Sequence, residues 1–202
     1  DMAKVPREGC QRPKEYTIAN FDVTPYLPRD TTAPLREVLE QADALAKHRG
    51  SDGVPYAQHD WSKPTDEANL RIGIDCSRAT WFAFKKAGLP YANKDGHTYL
   101  RTKDMVGKKS AMSATFDRCD DSPPRIGDLL VYRGIKKGEG VGHVVMVIDP
   151  AQHIAWGSHG WDGAAREDAP EDRGVEYQAV GRGRAFAAWD SASMRRVACW
   201  RH

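Results

Sequence analysis

The chain has 202 residues, enough for one domain with a sizeable core, and 30 lysines and arginines nearly cancel 28 acidic residues to leave a formal +2. That balance, with no basic run interleaved with aromatics, excludes a strong nucleic-acid footprint. No stretch approaches the roughly 18 consecutive apolar residues that a helical membrane span needs, so a soluble protein is expected. The chain opens on Asp1 rather than Met, so any signal sequence it had would already be gone and targeting is not read directly from it.

Residues Asp1 to Asp30 hold several prolines, scattered aromatics and no sustained period, and read as an irregular N-terminal extension (1–33) wrapped over the body. The pattern changes at Pro34. Leu35, Val38, Leu39, Ala42, Leu45 and Ala46 form one apolar face, Pro34 suits a first helical turn and Gly50 suits the stop, which predicts an amphipathic helix of about four turns. A turn-rich loop, SDGVPYAQHDWSKP, carries Tyr56, His59, Asp60 and Trp61 toward the most informative stretch, IDCSRATWFAFKKAG from Ile74 to Gly88. Ala79, Phe82, Ala83 and Ala87 recur at helical spacing there, and Trp81 and Phe84 widen the stripe. Lys85 and Lys86 complement the dipole in the last turn, and Gly88 ends the helix. Cys76 stands at the other end, where unpaired N–H groups stabilise a thiolate. From this stretch alone, a nucleophile and a small buried apolar cysteine are both open readings.

Between Leu89 and Arg125 the sequence is polar, and loops with one or two short helices are expected. Ile126 to Arg133 reads as a strand entered through a Gly-Asp turn, and the loop KKGEGVG leads to a central strand, His143 to Asp149. Asp149 and Pro150 turn the chain into a hairpin whose second strand starts at His153. Asp162 to Arg173 reads as a charged loop, while GVEYQAV and RRVACWR read as closing strands. Helices followed by short antiparallel strands predict an α+β fold, with the N-terminal helices packed on a central antiparallel sheet.

A thiol nucleophile needs a base within hydrogen-bond reach and a polar group to hold that base. His143 is the best partner for Cys76, because it stands at the mouth of an apolar strand after Gly140 and Gly142. The four cysteines, Cys10, Cys76, Cys119 and Cys199, match no zinc-ribbon or redox spacing, so no metal and no cofactor is expected. A disulfide among Cys10, Cys119 and Cys199 would imply an oxidising compartment, although no pair is forced together by the sequence.

The order of these features resembles the NlpC/P60 family of papain-like cysteine peptidases. The matching features are the helix at Leu35 to Arg49, the loop Gly53 to Tyr56, the Asp-Cys-Ser at Asp75 to Ser77, Gly127 to Leu129, and the strand His143 to Ile148. The resemblance covers roughly Pro34 to Gly160 and implies a papain-like NlpC/P60 catalytic domain over 34–202. It implies Cys76 as nucleophile, His143 as general base, and Tyr56 as a donor to the oxyanion beside the Cys76 N–H. Asp75 holds the turn or caps the helix, and Ser77 lies beside the nucleophile in the substrate-facing turn. The third polar residue lies on the strand after the base strand, with His159, Ser158 and His153 as candidates. A hairpin turning at Asp149 to Gln152 sets His143 opposite Ser158 and leaves His153 near the far end. A bulge at Gly157 would bring in His159, which is preferred because an imidazole can orient His143. The family has Gly where this chain has Arg78, which would narrow the groove, pair with a substrate carboxylate, or simply be an exposed helical arginine. The loop after Tyr56 lacks the family's double glycine.

What the resemblance implies is a secreted or periplasmic peptidoglycan hydrolase, a monomer that cleaves stem peptides between D-glutamate and diaminopimelate or lysine. An inhibitor or immunity-type protein would be its natural protein partner. Competing readings are a same-fold acyltransferase or N-acetylmuramoyl-alanine amidase, and a catalytically silent wall- or partner-binding module.

Overall fold

A computed structural model of the chain describes residues 17–50, 53–57, 70, 73–92, 99–134, 142–159, 174–179, 186, 188–189 and 194–202. Residues 1–16 with Cys10, the loop residues His59, Asp60 and Trp61, Gly140, and the charged stretch Asp162 to Arg173 lie outside the described residues.

Helix α1 spans Pro34–Ala46 and buries Val38, Leu39, Ala42, Leu45 and Ala46, the face read from their spacing. Helix α2 spans Cys76–Lys86. Asp75 caps it, its carboxylate accepting the Arg78 N–H at 2.9 Å, which satisfies one of the orphan donors of the first turn. The Lys85 and Lys86 ammonium groups lie over the rings of Trp81 and Phe82, at 4.8 and 5.8 Å from the centroids. Complete burial of side chains such as Leu39, Phe82 and Phe84 contributes about 1.5–3 kcal/mol each to holding the helices on the sheet.

The strands are β1 (Asp117–Arg118), β2 (Leu129–Gly134), β3 (Gly142–Asp149), β4 (Ile154–Ser158), β5 (Val175–Ala179), β6 (Ala188–Trp189) and β7 (Met194–Arg201). They form an antiparallel sheet in the order β1-β7-β2-β3-β4-β5, with β6 also pairing β7. The fold is therefore α+β. Val144, Met146, Ile148, Trp156 and Trp200 share a core with α1 and α2. Leu130, Tyr132, Val145, Val147, Ala155 and Cys199 form a second core on the opposite face. Apolar cover on both faces explains why β3 shows no alternation in its sequence.

Three local expectations change. The β2 strand begins at Leu129 rather than Ile126, because Ile126 and Gly127 turn before it and Gly127 N–H reaches across to the Val147 carbonyl. His153 lies in the hairpin turn with φ +55°, and β4 starts at Ile154. The Asp149 carboxylate accepts the N–H groups of Ala151 and Gln152 at 2.8 and 2.9 Å and carries the turn to His153. The hairpin register also shifts, and it does so between Val147 and Asp149 rather than at Gly157.

The described part of the N-terminal extension is fastened to the far edge of the sheet. Ile18 N–H donates to the Tyr177 carbonyl, the Phe21 ring lies 4.3 Å from that of Tyr177, and the Tyr26 hydroxyl donates to Asp149 at 2.9 Å. At the opposite edge a disulfide joins Cys119 to Cys199 across 80 residues, so the pairing left open by the sequence is between these two.

Candidate active site

The site is assembled at one end of the sheet, where β3 begins and β4 ends. In β4, Trp156 pairs with Met146 and Ala155 with Val147; continuing that register brings His143 level with His159. Their ring centroids are 4.8 Å apart at 52°, and both rings are buried. Two features set this. The hairpin closes on the pair Asp149 and Ile154, two positions later than a turn over Asp149 to Gln152 would give, and the one extra β3 residue between Val147 and Asp149 takes back one of them, which leaves His143 level with His159 rather than Ser158.

Ser158 does something else. Its hydroxyl donates to the Ile74 carbonyl at 2.7 Å, tying the end of β4 to the backbone two residues before Cys76. The approach to the helix is fixed from a second side by the Tyr56 segment. Ile74 N–H donates to the Pro55 carbonyl at 2.8 Å, and Pro55 bridges Gly174 beside β5. Gly73 has φ +117°, and a Cβ there would overlap the Pro55 carbonyl, so the close approach of the two backbones requires glycine. Tyr56, next to Pro55, is buried at this junction.

Cys76 keeps its thiol at the first turn of α2, where it is 7 % exposed. Around it runs a polar chain. The Ser77 hydroxyl lies 3.2 Å from Asp75 Oδ1, to which it donates, and 2.7 Å from the Tyr99 hydroxyl. Because the single Ser77 proton is given to the carboxylate, Tyr99 donates to Ser77. Burial pushes the Asp75 carboxyl up to about 6, against the Arg78 N–H and the Ser77 hydroxyl, which pull it down. Burial also raises the Tyr99 phenol, with the charges of Asp75 and Cys76 adding to the effect, so it stays a neutral donor. Burial likewise raises Tyr91, whose hydroxyl lies 3.2 Å from that of Thr80.

Arg78 is not the exposed helical arginine of the plainer reading. It is 2 % exposed, with its guanidinium 5.1 Å from the centre of the Tyr99 ring.

The chain matches no family model, no curated protein and no solved structure. The assignment of chemistry therefore rests on this geometry. Strand alternation places His143 on the face of its cross-strand neighbour Tyr132, while Val144 and Met146 face the helices. Ser158, one residue before the buried His159, links this end of the sheet to the approach to α2 through its hydroxyl on the Ile74 carbonyl. His153 is not in this group, since its ring stacks edge-on to Phe186 at 5.5 Å at the opposite end of the hairpin.

The sequence reading missed Tyr99, Tyr91 and Thr102. Each lies in the polar stretch after α2, where no periodicity marks a residue as facing the site.

Among the described residues, the one cluster with metal-ligand character is Cys119, Asp128 and Cys199, and its two sulfurs are joined to each other. No helix among the described residues is long and apolar enough to cross a membrane.

Proposed function

We propose that the chain is a cysteine peptidase with a papain-like NlpC/P60 domain, cutting amide bonds in peptidoglycan stem peptides. The observation that carries this reading is the tie between Ser158 and Ile74, which brings the end bearing the His143 and His159 rings to the turn bearing Cys76. In the proposed mechanism the His143 imidazole takes the Cys76 proton, with His159 orienting it. The thiolate attacks the amide carbonyl carbon, and the oxyanion is held by the Cys76 N–H and the Tyr56 hydroxyl. The imidazolium then returns its proton to the leaving amine, and a water activated by the same imidazole hydrolyses the thioester. The preferred bond joins D-glutamate to diaminopimelate or lysine, and the compartment is periplasmic or secreted, which the Cys119–Cys199 disulfide supports.

Digestion of purified peptidoglycan by wild type and Cys76→Ala, followed by mass spectrometry, tests this. New amine ends are expected with wild type alone. Equal yields from both proteins, or none from either, overturn the reading.

A second reading, a silent wall- or partner-binding module, is favoured by the low exposure of Cys76 and the buried Arg78 beside it. It predicts no thiol-dependent turnover and little labelling of Cys76 by iodoacetamide.

A further inference from the structure

A four-residue stretch, Tyr99 to Thr102, touches the helix turns that carry Cys76 at one end and Gly142, the residue before His143, at the other. At one end the Tyr99 hydroxyl donates to Ser77 at 2.7 Å, its ring lies beneath the Arg78 guanidinium at 5.1 Å, and its edge meets Trp81 at 6.1 Å. Those contacts fall on the first two turns of the Cys76 helix. At the other end, the Thr102 hydroxyl accepts from Arg133 of β2 at 3.2 Å. Thr102 also lies directly against Gly142, the residue before His143, where a Cβ would overlap both the Thr102 side chain and the Arg133 guanidinium. Thr102 opens a short 3-10 turn, Thr102–Met105, whose last residue is fully buried and whose backbone carbonyl accepts the Trp200 indole N–H at 2.8 Å. This end of the stretch is therefore anchored in the core, and so cannot drift.

We propose that Tyr99 and Thr102 are positioning residues that form a clasp, setting the separation between the Cys76 turn and the start of the His143 strand. The inference rests on the cysteine peptidase reading and adds to it a device that α2 and β3 do not contain in themselves. Helix α2 meets the sheet through apolar side chains, which tolerate small sliding motions, whereas proton transfer between sulfur and nitrogen tolerates very little. A hydroxyl donating to the turn itself, braced by a residue wedged against Gly142, supplies the directional restraint that apolar packing lacks.

The test reads the thiolate directly. The titratable and charged groups facing the thiol are Asp75 and Arg78 of its own turn and the phenols of Tyr91 and Tyr99; His143 and His159, which pair with each other at the end of the sheet, are the imidazoles that the proposed mechanism brings to it. Iodoacetamide labelling of Cys76 is followed against pH in wild type, His143→Ala, Tyr99→Phe and Thr102→Val, with thermal unfolding recorded alongside. Tyr99→Phe keeps the ring over Arg78 and removes only the hydroxyl. Thr102→Val keeps the shape against Gly142 and removes the acceptor for Arg133. In wild type, labelling should persist into mildly acidic solution because a thiolate is stabilised by imidazolium. His143→Ala should shift the midpoint to higher pH, and each clasp variant should shift it the same way by about one unit, that is, by about tenfold in the acid arm. The shift should appear without a matching loss of melting temperature.

If His143→Ala shifts the profile while both clasp variants overlay wild type, the clasp is overturned and the peptidase reading stands. If His143→Ala itself overlays wild type, the catalytic pair fails and the clasp falls with it. A variant that does not fold is answered by its counterpart at the other end of the stretch.

Discussion

Two buried carboxylates, Asp75 and Asp128, sit in opposite regions of this molecule and are treated differently. Asp128, at the β2–β7 side, carries the Arg201 guanidinium on both oxygens at 2.7 and 2.8 Å and accepts the Arg125 N–H at 2.8 Å, next to the Cys119–Cys199 disulfide. Asp75, at the start of α2, accepts backbone N–H groups of its own turn and the Ser77 hydroxyl, and burial pushes it up to about 6. The first arrangement matches a buried charge to a cation in bidentate geometry and locks a sheet edge. The second leaves a buried acid able to change charge in mildly acidic solution beside a thiol. Stability is concentrated at one region and adjustable charge at the other, the division expected of a scaffold and a site.

The comparison can be broken most forcefully at the locked region. Replacing Cys119 and Cys199 together with alanine should lower the unfolding free energy by about 4 kcal/mol, because the disulfide closes a loop of 80 residues, and urea melts would measure it. The pH profile of Cys76 labelling should not move with it; a shift there would show that the two regions are coupled.

Asp75→Asn sharpens the other side. The folded carboxyl titrates at about 6, above an unfolded value near ~3.9, so its contribution to stability is present below the unfolded value and is lost as pH rises through 6. Between about pH 3 and pH 8 the wild type should therefore lose about 3 kcal/mol relative to Asp75→Asn, read from paired urea melts. Parallel pH curves for the two proteins would mean that Asp75 is not the titrating group.

The smallest effect is expected from Ser158→Ala. It removes the donor to the Ile74 carbonyl and should cost about 1–2 kcal/mol in thermal unfolding. Because that bond ties β4 to the Cys76 turn, the proposed peptidase activity should fall by more than the stability loss accounts for.

Much of the fold could be read from spacing. The apolar positions of α1 and α2 recur every three or four residues, and the helical faces they imply are the buried ones. The β3–β4 hairpin was legible because Asp149 and Pro150 punctuate two apolar runs. The two-residue strands β1 and β6 were not legible, since they are too short to carry a period. The placement of β7 between β1 and β2 was not legible either, since strand order depends on contacts distant in sequence.

The sequence by itself determined the local elements and put Cys76 at a helix N-terminus, because capping, helical period and turn chemistry act between residues a few positions apart. Tertiary structure alone decided what surrounds that thiol. The hairpin's closing pair and the one-residue shift between Val147 and Asp149 together level His143 with His159, and the chain's return after α2 lays Tyr99 on Ser77. Folding alone also selected Cys119 and Cys199 as partners and buried Arg78. These outcomes depend on register and on packing between segments far apart in the chain, which local propensities do not encode.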